Sequence, residues 1–115
     1  MANSIFQTIH LPAANTEITL KFRVGGGQAG STTYQISGQK EVTKEGDFSI
    51  NLKTNDLNNK EIEFSARCAD VNPNSNKLLY TVELIGLQSS SPWTMTKTVK
   101  AHGVYNFFGT IEFYK

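Results

Sequence analysis

A single cysteine, Cys68, among 115 residues excludes an intramolecular disulfide and any zinc site built on paired thiolates. Small secreted all-β domains commonly rely on such bridges, so their absence points to a reducing compartment. Imidazole is almost as scarce: His10 and His102 are the two histidines. No Gly-x-Ser-x-Gly elbow accompanies them, so the parts of a serine triad are missing and no catalytic residue is assigned. Charge of one sign is also missing. Eleven basic and ten acidic side chains leave a net charge of +1, whereas nucleic-acid binders carry a basic excess that displaces counterions. The same balance argues against a polybasic membrane anchor. No apolar run approaches the roughly 20 residues of a membrane-spanning helix. The stretch Met1-Ala2-Asn3-Ser4-Ile5-Phe6-Gln7 has neither the basic start nor the apolar core of a secretory signal. There is no Asn-x-Ser/Thr acceptor. These readings make the cytoplasm the default location, with export requiring a non-classical route.

No stretch of ten residues shows a 3.6-residue apolar period; alternation at a period of two is present throughout. That period belongs to half-buried strands, whose successive side chains point to opposite faces. Glu17 to Val24 is the cleanest case, with Ile18, Leu20, Phe22 and Val24 on one face and Glu17, Thr19, Lys21 and Arg23 on the other. Ile5 to Leu11, Thr32 to Ser37, Asp47 to Lys53, Glu61 to Cys68 and Trp93 to Ala101 alternate similarly, and Lys40 to Lys44 reads as a short edge strand. Lys77 to Leu87 is apolar on both faces near its ends and is the candidate for a central strand. In Val104 to Tyr114, Tyr105, Phe107, Ile111 and Phe113 share a face. Turn-forming clusters separate these runs, including the segment from Gly25, Asn72 to Asn76, and His102-Gly103. One domain, residues 1–115, is expected: an antiparallel β-sandwich of about eight or nine strands, jelly-roll or immunoglobulin-like. A chain of this length buries roughly two-thirds of its unfolded surface, enough for stability without staples.

Several motifs invite a chemical reading. Gly25-Gly26-Gly27-Gln28-Ala29-Gly30 matches G-x-G-x-x-G, but a β-type run follows where a phosphate-binding turn needs a helix. A flexible hairpin loop is the expectation. Asp70-Val71-Asn72-Pro73-Asn74 starts like a calcium loop, then fails: Ser75 stands where glycine is needed and Thr81 where a closing glutamate belongs. Cys68 alternates with Phe64 and Ala66 and reads as a small buried hydrophobe. Glu61 and Glu63 share the outward face of one strand with Arg67, and cross-strand lysines would be their ordinary partners.

The remaining signal is aromatic. Trp93 follows the loop Ser89-Ser90-Ser91-Pro92, and an aromatic ring beside Asn and Ser groups is what a sugar site needs. The expected ligand-binding residues are therefore Asp70, Asn72, Asn74, Asn76 and Trp93, although Trp93 also fits a core position in register with Met95. Phe108 and Tyr114 fall on the polar face of the last strand and are expected interface residues. Alternatively, a bulge at Gly109 would turn both rings inward. The leading functional expectation is a non-catalytic, lectin-like carbohydrate-binding module without cofactor or metal. A self-assembling subunit, joined as a homo-oligomer through edge strands and exposed aromatics, is the first alternative. A protein-binding inhibitor or immunity-type module is the second.

Overall fold

The computed structural model describes residues 4–115; Met1 to Asn3, part of the stretch read above as lacking a secretory signal, lie outside them. Nine strands follow one another: β1 (Ser4–His10), β2 (Glu17–Gly25), β3 (Ala29–Ile36), β4 (Val42–Glu45), β5 (Phe48–Lys53), β6 (Glu61–Ala69), β7 (Lys77–Ile85), β8 (Trp93–Thr98) and β9 (Val104–Tyr114). Among the described residues the sole helical element is a 3₁₀ turn, Thr54–Asp56. The strands form two packed sheets, of order β1-β9-β6-β3-β4 and β5-β2-β7-β8. The fold is thus an all-β sandwich.

Only β3–β4 and β7–β8 join neighbours within a sheet; every other connection passes from one sheet to the other. The glycine segment is therefore a crossover and not the expected hairpin. Gly26 and Gly27 adopt φ of 70° and 71°, conformations that suit residues without a Cβ, while Gly30 lies within β3 against Val24 and Cys68. A second departure concerns β1, which pairs parallel with β9; all other pairings are antiparallel. A parallel neighbour is possible because β1 and β9 stand at opposite ends of the chain and no tight turn has to join them. β7 is flanked on both sides, by β2 and β8, yet its outward residue Ile85 remains exposed.

The inward residues of both sheets form one core. Phe22 of β2 stacks on Phe48 (centroids 4.8 Å apart) and meets the Phe64 ring of the opposite sheet nearly edge-on (5.4 Å, 72°). Both are favoured aromatic geometries. One polar tie crosses this core: the Thr32 hydroxyl of β3 bonds the Tyr80 hydroxyl of β7, and both residues are fully buried. Cys68 is buried too.

Along β9 the register against β6 runs unbroken from Glu61–Glu112 to Ala69–Val104. Gly109 is therefore not a bulge. A Cβ there would enter the ring of Phe64, so the missing side chain makes room for a core aromatic. With no bulge to redirect them, Phe108 and Tyr114 stay on the outer face, 56% and 44% exposed.

Candidate functional site

The sequence points first to the Asp70–Asn76 segment and Trp93, which the fold separates. Lys77, just after the loop, pairs with Thr98, whereas Trp93 pairs with Val82. Trp93 thus lies five residues farther along the β7–β8 ladder, about 16 Å at strand rise. Its ring is buried and its Nε1 donates to Ser90 Oγ (2.9 Å). It belongs to the core beside Met95, and no joint surface with the loop exists.

The loop itself is held by its own polar groups. Gln28 Oε1 accepts from the amides of Val71 and Asn72 (2.8 and 2.9 Å). Its Nε2 donates to the carbonyls of Ser75 and Lys77. Asn72 Oδ1 accepts from the Asn74 amide, and its Nδ2 donates to the Gly26 carbonyl. The Asn76 carbonyl accepts from the Val99 amide. Asp70 is buried; its Oδ2 accepts from the His102 amide (3.1 Å), and Oδ1 has no protein partner. Of the side-chain oxygens that would begin a calcium loop, Asp70 Oδ2 and Asn72 Oδ1 are thus bonded to backbone amides of the turns. Among the described residues no group of three or more His, Cys, Asp and Glu side chains is arranged to hold a metal ion.

The two histidines cannot cooperate either. His10 stacks on Tyr114 (4.9 Å, 24°) at one end of β9, while His102 precedes Val104 at the other. The length of β9 between them is roughly 33 Å.

What the fold does assemble is the outer face of the five-stranded sheet. Pairing places Phe108 beside Ser4 and Ser65, Thr110 beside Phe6 and Glu63, and Glu112 beside Thr8 and Glu61. Glu63 lies opposite Gln35 of β3. The ring of Phe6, 64% exposed, is diagonal to that of Phe108. Two adjoining depressions flank Phe108, of about 230 and 330 Å³, and both are lined by Glu63. They continue through Gln35, Ser37 and Glu61 to a hollow between Glu61, Glu112, Thr8 and Tyr114. From Phe108 to Tyr114 the strip is about 20 Å long at strand rise. The hollows adjoin along one open sheet face, an arrangement that suits an extended ligand lying on the surface.

The carboxylates of the strip are unlike the ones expected from sequence. Glu61 faces Glu112 across the ladder in place of a lysine, and like charges directly opposite each other repel. A hydrogen bond to Glu63 raises the Glu61 pKa; partial desolvation and repulsion from Glu63 and Glu112 push it in the same direction. No ion pair relieves them: among the described residues the single salt bridge is Arg23–Glu83 (3.2 Å), on the other sheet. That other outer face is satisfied internally, with Thr19 Oγ1 donating to Asn51 Oδ1 (2.8 Å) and the hydroxyls of Thr81 and Thr94 bonded to each other.

Phe6 and Glu112 are therefore the surface residues that sequence reasoning passed over, whereas Glu61 and Glu63 read from sequence as an ordinary solvated pair. Phe6 was detectable as the aromatic out of phase with Ile5 and Ile9. The carboxylate cluster was not, because it depends on the β6–β9 register. No protein-family model matches this chain, and no curated protein or solved structure is significantly similar to it.

Proposed function

We propose that the protein is a non-catalytic carbohydrate-binding module that uses the outer face of its five-stranded sheet, and not the loops. The observation that carries this reading is the strip itself: exposed Phe6 and Phe108 beside Glu63, Gln35, Thr110 and Ser65. A sugar ring offers an apolar C–H face and equatorial hydroxyls, so it needs a flat ring to lie on and acceptors at its rim. Polar groups at few, fixed positions then set orientation. Strand-borne side chains are more precisely placed than loop-borne ones, and here all of them stand on paired strands. The separation of the two histidines and the burial of Cys68 support the non-catalytic part.

Titration calorimetry against a panel of neutral and charged oligosaccharides, with and without calcium, tests the reading. Phe108→Ala is expected to weaken binding at least tenfold, and calcium to have no effect. If no glycan in the panel binds, the proposal fails.

One observation favours a second reading, self-association. Phe6 is the most exposed large hydrophobic side chain among the described residues and sits on β1, an edge strand. Unpaired edges bearing apolar residues invite pairing with another chain. Sedimentation at rising concentration discriminates: a dimer abolished by Phe6→Glu supports association, and a monomer throughout counts against it.

A further inference from the structure

We infer that the ligand of this sheet face is a cationic saccharide, one whose sugar units carry free amino groups. The inference rests on the carbohydrate reading above and adds the charge of the ligand to it. Two independent features point the same way. The first is the pair of exposed phenylalanine rings, whose faces carry the negative side of the aromatic quadrupole and attract an ammonium group. The second is the carboxylate row beside them. Glu61 and Glu63 of β6 and Glu112 of β9 face the strip, with Glu41 at its β4 side. The neighbours contributed by the flanking strands, Thr8 of β1 and Gln35 of β3, are uncharged. The cation on this face of β6, Arg67, stands beyond Ser65, past Phe108 and away from the Glu61–Glu112 end. Lys60 lines the hollow near Tyr114 but makes no ion pair with these carboxylates.

Repulsion across the Glu61–Glu112 pair is a cost the fold does not need. A polar side chain at either position would occupy the same exposed surface without it. A ligand amine placed between the carboxylates removes the repulsion on binding and forms charge-assisted hydrogen bonds, the stronger class. An acidic glycan would meet the opposite situation, since its carboxylates would add to the row. Glu61 and Glu63 stand at alternate positions of β6, on one face, and Glu112 lies directly across from Glu61, so the three carboxylates crowd one stretch of the strip. The row and the rings occupy one continuous strip, so a single chain of sugars can engage both.

The test is calorimetric titration at pH 6 with five probes: a glucosamine oligomer with free amines, its fully N-acetylated counterpart, a neutral glucan oligomer, an oligogalacturonate, and oligolysine of equal charge. The free-amine oligomer is expected to bind at least tenfold more tightly than the N-acetylated one, and the galacturonate not at all. The double variant Glu61→Gln/Glu63→Gln should erase the difference between the two glucosamine oligomers while unfolding at or above the parent temperature. Phe108→Ala should weaken both. If the N-acetylated or neutral oligomers bind as tightly as the amine, the charge inference is wrong and the carbohydrate reading stands. If no saccharide binds, both are wrong. Oligolysine binding as tightly as the free-amine oligomer also overturns the inference, because the face would then select charge without regard to sugar.

Discussion

Phe64 turns its ring into the space a side chain at position 109 would occupy, and β9 remains regular because that space is empty. Gly109→Ala is therefore an overpacking change in a buried place, where added atoms typically cost about 1–3 kcal/mol. The expected result is a melting midpoint lowered by roughly 4–12 °C in calorimetry; an unchanged midpoint would show that Phe64 can move aside freely. The Thr32–Tyr80 pair makes a different kind of prediction. Removing either hydroxyl alone, by Thr32→Val or Tyr80→Phe, strands a buried partner and should cost about 1–3 kcal/mol. Removing both leaves nothing unsatisfied, so the double variant should be more stable than the sum of the singles implies, by about 1 kcal/mol or more. Strict additivity in denaturant titrations would contradict the bond's role as a polar tie between the sheets.

β6 and β9 together decide what the outer face presents. Their antiparallel register puts Glu61 opposite Glu112 and leaves Glu63 two residues along the same strand. Because the hydrogen bond to Glu63, desolvation and repulsion raise the Glu61 pKa in the folded state, folding is favoured when the carboxyl is protonated. That advantage is lost as pH rises through the folded-state pKa. Glu61→Gln is accordingly expected to raise the melting midpoint at pH 7, with the gain shrinking toward acid pH. A gain that is constant across pH would mean that charge repulsion is not the cause. The β6–β7 connection works at this level as part of a clasp: Gln28 ties the β2–β3 crossover to it.

For the molecule as a whole, the two sheets enclose a core that includes one ionisable thiol. Burial pushes the Cys68 pKa up to about 11, and burial also raises that of Tyr80. Both groups ionise more easily once unfolded: the contribution of Cys68 is complete below about pH 8.5 and is lost as pH climbs to about 11, whereas that of Tyr80 stays complete to about pH 10 and is lost only at still higher pH. At pH 8 the native thiol should react with a disulfide reagent at least about 100-fold more slowly than in denaturant, since the thiolate is the nucleophile. Labelling then reports how often the sandwich opens. Rapid labelling of the native protein would show that the β6–β3 region opens far more readily than its packing implies.

Alternation is a local property, and it revealed nine strands and the inward residues of nearly all of them. Ile18, Leu20 and Phe22, or Ile62, Phe64 and Ala66, announce their face within a few residues, because a pleated chain leaves no other way to bury them. The sequence by itself thus determined that this is a β-sandwich, and the separation of core from surface along each strand. What the tertiary structure decided concerns neighbours far apart in the chain. It set β1 parallel to β9, buried Trp93 away from the Asp70 loop, kept Phe108 and Tyr114 outside, and brought Glu61 against Glu112. Each of these depends on which strand pairs with which and in what register. That choice comes from the packing of both sheets together, and no window of sequence contains it.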